Sequence, residues 1–131
     1  MTTPQQFLES FFQDKAAAYA VANVGLRPVH AKYFGEPLSK HAADFLMPEI
    51  VQEVVEDVKQ SIDSALVITK RSTKSDVVFR HRYHLSSVGE SWQIVRLDWQ
   101  CFLCRGTGQS GQEVCQQCDG EGWYDLRKNA A

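Results

Sequence analysis

Four cysteines confined to 18 consecutive positions constrain this chain more than any other feature. They lie in Cys101-Phe102-Leu103-Cys104-Arg105-Gly106-Thr107-Gly108 and in Cys115-Gln116-Gln117-Cys118-Asp119-Gly120-Glu121-Gly122, one unit, CxxCxGxG, used twice. Two residues between cysteines allow a tight turn that points both sulfurs at one ion. Backbone N–H groups beyond the second cysteine can then hydrogen-bond to the thiolates and soften their charge. The glycines permit the positive φ that such a turn demands. Ten residues separate the halves, enough to fold them together as a small ribbon. Zinc takes four thiolates in a tetrahedron with Zn–S of about 2.3 Å, and a full thiolate shell leaves no position for a reactive water. The expectation is therefore one structural Zn2+ held by Cys101, Cys104, Cys115 and Cys118. Two disulfides, a redox-active CxxC, or iron in a rubredoxin-like site are the competing readings.

The remaining composition narrows the setting. The 131 residues suffice for one modest core and a small appendage. No apolar run approaches the roughly 18 residues of a membrane span. The start, Met1-Thr2-Thr3-Pro4-Gln5-Gln6, lacks the basic and apolar stretches of a secretion signal. A cytoplasmic location with reduced thiols is expected, which favours metal over disulfides. With a formal net charge of −2, no global field draws the chain to nucleic acid or to an anionic membrane. After residue 101, Arg105, Arg127 and Lys128 stand against Glu113, Asp119, Glu121 and Asp125. The most basic stretch, Lys70, Arg71, Lys74, Arg80 and Arg82, reads as a solvated sheet face partly paired with acidic residues at 49–57. Nucleic acid and membrane are not expected as partners.

The first hundred residues change period midway. Phe7, Leu8, Phe11, Phe12, Ala16, Tyr19 and Ala20 recur at spacings of three and four, predicting an amphipathic helix over 4–23 with Thr3 as cap and Pro4 in its first turn. Residues 29–46 predict one or two short helices. Ile50, Val51, Val54, Val55 and Val58, with Glu49, Glu53, Glu56 and Asp57 between them, predict a further helix over 48–60. Alternation then predicts strands over 63–71, 76–88 and 91–100, with Gly89-Glu90 at a hairpin turn. Val77, Phe79, His81, Tyr83 and Leu85 share one face; Arg80, Arg82 and His84 share the other. On the last strand Trp92 and Ile94 point one way, with Arg96 and Asp98, while Val95, Leu97 and Trp99 slant to the other. Apolar groups on both faces call for a cover, either the cysteine module or a second copy, so a homodimer is expected. The fold class is α+β, helices packed on an antiparallel sheet. The domain division is 1–100, a ribbon at 101–124 and a tail at 125–131, with the ribbon alone expected to unfold on metal removal.

The paired cysteine units resemble the zinc finger of DnaJ-type co-chaperones, which carries four such repeats. Two repeats imply one zinc and, beyond it, a protein-contact surface. The His-Pro-Asp motif of that family's helical domain is absent. The helix–helix–strand order, ending Gly89-Glu90-Ser91-Trp92-Gln93-Ile94-Val95-Arg96-Leu97-Asp98, resembles the nuclear transport factor 2-like fold. That resemblance implies a cone-shaped pocket between sheet and helices, with His81, Arg96 and Asp98 as its polar candidates. The family includes ketosteroid isomerases, dehydratases and bacterial immunity proteins, so fold alone does not select an activity. A His81–Asp98 pair in an apolar cleft would suit a general base. The bland reading is a core histidine with a satisfied hydrogen bond and an Arg96–Asp98 surface pair. No phosphate loop, nucleophile elbow or HExxH occurs. The function expected is a non-enzymatic zinc-binding module that contacts a protein or small ligand. An isomerase- or dehydratase-like enzyme and an immunity protein that blocks a toxin are the alternatives. Phe102, Leu103, Trp123 and Tyr124 either form the contact patch or pack the ribbon on the sheet through Trp99.

Overall fold

The computed structural model describes residues 2–19, 27–35, 50–73 and 78–125. Helix α1 spans Pro4–Tyr19 and α2 spans Arg27–Tyr33. Four long strands follow: β1 (Ile50–Gln60), β2 (Ser64–Thr73), β3 (Val78–Val88) and β4 (Ser91–Gln100). Three short strands close the chain: β5 (Gln109–Ser110), β6 (Glu113–Val114) and β7 (Trp123–Asp125). The architecture is α+β. The main sheet is an antiparallel meander in the order β1-β2-β3-β4-β7, and β5-β6 form a separate small hairpin. No described helix is long and apolar enough to cross a membrane. The expected helical residues 20–23, any second short helix after residue 35, and Lys74, Val77, Arg127 and Lys128 lie outside the described residues.

Helix α1 starts as its sequence dictates. Thr3 Oγ1 accepts the N–H of Gln6 at 3.1 Å, and Gln6 Oε1 accepts the N–H of Thr3 at 3.0 Å. This reciprocal pair is a capping box and satisfies donors that the first turn leaves open. Pro4, Phe7, Leu8 and Phe11 are buried, and so is Lys15, whereas Ala16 is exposed. The buried stripe thus runs 4, 7, 8, 11, 15 and ends on a charge. The helix lies on one face of the sheet, where Phe7, Leu8, Phe11, Tyr33, Phe34, Val67, Tyr83, Leu85, Trp92, Ile94 and Leu97 form the core. Gly35 N–H donates to Ile94 O at 2.9 Å and the Trp92 indole donates to Thr2 O at 2.8 Å, tying both helices to the β3–β4 hairpin.

Two expectations fail in the sheet. Residues 50–60 form an edge strand, not the expected helix. A β-bulge between Val55 and Asp57 inserts Glu56 into the ladder, since Val55 faces Thr69 while Asp57 faces Ile68. Inward positions therefore fall at 53, 55 and 58; of the apolar stripe that predicts a helix, Val55 and Val58 face the core and Val54 is exposed. Five β-branched residues in nine positions favoured the strand. Strand β4 carries the second irregularity: His84 pairs with Arg96 and Leu85 with Ile94, leaving Val95 as the extra residue. Trp92, Ile94, Leu97 and Trp99 all pack against the one core, and Arg96 and Asp98 turn to the opposite face. The second face of β4 carries Arg96 and Asp98, with Val95 exposed, in place of the run of large apolar groups from which a homodimer was expected.

Candidate metal centre

The two cysteine units fold as near copies that brace each other. Arg105 N–H donates to Cys101 O and Thr107 N–H to Cys104 O in the first turn; Gly120 N–H donates to Cys115 O and Glu121 N–H to Cys118 O in the second. Across the pair, Cys115 N–H donates to Gly108 O at 2.9 Å and Cys101 N–H to Gly122 O at 2.8 Å. Gly108 N–H lies 3.4 Å from Cys104 Sγ and Gly122 N–H lies 3.2 Å from Cys118 Sγ, so each unit's last glycine donates to its own second sulfur. Such donors spread thiolate charge into the backbone.

Those two glycines cannot be replaced quietly. Both have left-handed backbones, φ +78° at Gly108 and +81° at Gly122. A Cβ on Gly108 would sit 2.3 Å from Gly120 O, and one on Gly122 would sit 2.6 Å from Gly106 O. Backbone atoms of the partner unit cannot swing away as a side chain can. Gly122→Ala is expected to cost at least about 1–2 kcal/mol from the left-handed backbone alone, with the overlap in addition. The check is the chelator concentration that strips the metal, which should fall further in Gly122→Ala than in Gly111→Ala, where a Cβ meets nothing within 4 Å and only the φ of +66° is strained.

All four sulfurs lie within 4.8 Å of one another and all four cysteines are buried. Cys101 Sγ and Cys115 Sγ are 3.9 Å apart; Cys104 Sγ and Cys118 Sγ are 3.6 Å apart. Sulfurs at about 2.3 Å from a central ion stand about 3.8 Å apart in a regular tetrahedron. A disulfide would bring a pair to about 2.05 Å, and the cysteines are free thiols. The four side chains therefore form one site with the donor set and spacing for a single metal ion.

Burial pushes the Cys101, Cys104 and Cys118 thiols up, and local donors decide which stay there. At Cys101 the N–H groups of Cys104 and Leu103 and the Tyr124 hydroxyl outweigh burial and bring the thiol down to about 6. At Cys104 the N–H of Gly108 does the same, lowering that thiol as well. At Cys118 burial and the three neighbouring thiols outweigh the Gly122 N–H, and the thiol rises to about 11. A metal entering the site displaces the protons that remain, so affinity falls as pH falls.

Tyr124 was foreseen as a flanking aromatic, and the structure shows what it does. It packs against the cysteine cluster, its hydroxyl donates to Gln117 O at 2.8 Å, and the same oxygen lies 3.5 Å from Cys101 Sγ. Trp123 is partly buried with the Arg82 guanidinium 4.7 Å above its ring. Phe102 and Leu103 are instead exposed, at 68% and 55%.

The three pocket candidates do not meet. His81 is buried on the core face, accepts from Arg71 Nη1 at Nε2 over 2.7 Å and stacks on Trp99 at 5.7 Å between centroids. Asp98 is on the far face, where Arg82 Nε at 2.8 Å, His84 Nε2 at 2.6 Å and Arg96 Nε at 2.6 Å surround its carboxylate. Burial pushes Asp98 up, but the hydrogen bonds from His84, Arg96 and Arg82 hold it below the usual carboxylate range. A His81–Asp98 general-base pair is ruled out by the sheet between them. Arg96 joins Asp98 in an ion-pair cluster on that far face.

A polar cluster that the sequence reading missed sits under α1. Glu53 Oε1 receives Lys15 Nζ at 3.1 Å and lies 3.6 Å from Arg71 Nε. Glu53 Oε2 receives Thr69 Oγ1 at 2.7 Å and the Tyr83 hydroxyl at 2.8 Å. The one available signal was Lys15 itself, four residues after Phe11 on the apolar stripe. Both carboxylate oxygens of Glu53 are occupied, which suits a structural anchor of α1 better than a reacting group.

Searches among protein-family models, curated proteins and solved structures find no match to this chain.

Proposed function

We propose that the chain is a non-enzymatic protein-interaction domain whose C-terminal ribbon is held by one structural zinc ion. The observation that carries this reading is the buried set of four sulfurs at tetrahedral spacing. Zinc suits four thiolates, brings no redox chemistry, and keeps no open position when so ligated. The reducing cytoplasm is the compartment in which such thiols stay available. The same proposal includes the finer likenesses. Helices laid on one face of a meander support a nuclear transport factor 2-like fold, and the paired CxxCxGxG units support a DnaJ-type zinc finger.

The contact surface is assigned to Phe102 and Leu103. They sit between two ligands of the metal, so they are held on a rigid turn, and both side chains face solvent. Exposed apolar anchors on a rigid frame are what interface hot spots require. Trp123 and Tyr124 serve the packing of the ribbon instead. Elemental analysis of reduced protein should return one zinc per chain; no stoichiometric metal, or iron in its place, sinks the zinc reading. The double variant Phe102→Ser, Leu103→Ser should keep its metal and its melting temperature to within about 2 °C, since exposed sites change stability by roughly ±0.5 kcal/mol. Proteins captured by the wild-type domain and equally by this variant would remove the assigned surface.

A further inference from the structure

We propose that metal binding at the four cysteines and pairing of β7 with β4 are one coupled equilibrium, carried by Tyr124, so that metal occupancy decides whether the main sheet ends in five strands or four. The proposal rests on the metal reading above. Strand β4 ends at Gln100 and Cys101 follows directly; β7 begins at Trp123, directly after Gly122. The two ends of the ribbon are therefore the two partners of the last strand pair. The ladder Asp98–Asp125, Trp99–Tyr124, Gln100–Trp123 continues into the metal turns through the Cys101 N–H to Gly122 O bond at 2.8 Å.

Tyr124 connects sheet and site through one side chain. It stands opposite Trp99 in the ladder, lies 3.5 Å from Cys101 Sγ in the first cysteine turn and donates to Gln117 O in the second. On the other face Arg82 covers Trp123 and Arg96 lies 3.8 Å from Asp125. These contacts form only while β7 is in place. Three residue pairs at a sheet edge do not hold themselves in water. Among the described residues the ribbon's buried cluster is the four cysteines with Tyr124 packed on them, so it has no apolar core to keep its ends together without metal. Linkage then makes the coupling reciprocal: what loosens β7 must loosen the metal by the same factor. The expected boundary at residue 100 moves inward accordingly, because Asp98 and Trp99, paired with β3 on one side, take their second partner from β7, and Gln100 pairs with β7.

The test is amide hydrogen exchange on the full chain, metal-loaded and after stripping with EDTA under reducing conditions. Exchange at 98–100 and 123–125 is expected to quicken at least tenfold on stripping and to recover with added zinc. Strands β2 and β3 should change less than twofold. In the reciprocal arm, Tyr124→Phe and Trp123→Ala leave every sulfur in place, and each should weaken zinc binding about tenfold or more in competition with a chromophoric chelator. Opening confined to 101–122 overturns the proposal, as does wild-type zinc affinity in both variants or loss of protection throughout β1–β3. Protein that binds no metal overturns both this proposal and the metal reading, whereas metal bound with unchanged exchange at 98–100 overturns this one alone.

Discussion

Cys115→Ser lowers metal affinity by two to three orders of magnitude, read by competition against a chelator of known affinity. Structural zinc sites in small domains contribute about 10–16 kcal/mol at neutral pH. Shared over four thiolates, one ligand is worth about 3 kcal/mol or somewhat more, and each 1.4 kcal/mol is tenfold. Cys115 is fully buried, its sulfur is 3.9 Å from that of Cys101, and its N–H holds the carbonyl of Gly108. Serine keeps the backbone bond and the volume and removes only the thiolate. The neighbouring exposed Gln116 provides the control: Gln116→Ala should change affinity less than twofold. Equal affinities in the two variants would mean that the sulfurs do not share an ion.

The second large effect lies on β1, the edge strand opposite β7. Glu53→Gln is expected to destabilise the fold by about 3–5 kcal/mol, the cost of removing one partner from a buried charged set. Side-chain exposure is 2% for Glu53, 5% for Arg71 and 10% for Lys15, so neither cation can recover its hydration. A drop of that size is a large part of the stability of a small domain, and a urea midpoint will show it. Adding Lys15→Met to Glu53→Gln should restore part of the loss, because no buried ammonium is then left without its partner. A double variant no better than the single would mean that the hydrogen bonds from Thr69 and Tyr83 carry the effect.

The same cluster sets the acid limb of stability. Burial lowers His81 well below 6.5, and the positive charges of Arg71 and Lys15 push it further in that direction. Burial raises Glu53, but Lys15, Arg71 and the bonds from Thr69 and Tyr83 more than offset this, and its carboxyl ends below 4.5. Both folded values lie beneath the unfolded ones. The unfolded chain therefore binds protons first, and stability present at neutral pH is lost as pH falls. His81 begins to act below about 6.5 and Glu53 joins below about 4.5. Urea midpoints measured from pH 7 to pH 4 should decline throughout, and His81→Phe should flatten the part above pH 5.

Legibility in the sequence followed how local the determining interactions are. The four-cysteine cluster was legible because turn geometry and the sulfur-directed N–H bonds are set within eight-residue units. Helix α1 was legible from Phe7, Leu8 and Phe11, and its cap from Thr3. Strand β1 was misread because its five apolar residues also fit a helical stripe, and β4 was misphased because one inserted residue, Val95, shifts an alternating pattern by half a period. That shift sent Asp98 and His81 to opposite faces and removed the enzymatic pair. The burial of Glu53, expected on the acidic face of a helix, was not legible because its partners, Lys15, Thr69, Arg71 and Tyr83, come from three other elements.

The cysteine spacing by itself determined that four sulfurs can meet at one ion, since every atom that closes each turn belongs to a short stretch of chain. Only the tertiary structure decided that this ribbon ends as the fifth strand of the main sheet, and which face each side chain of β1 and β4 takes. Those outcomes depend on ladder register and on bulges, which arise from pairing with distant strands and leave no local mark on the residues that undergo them.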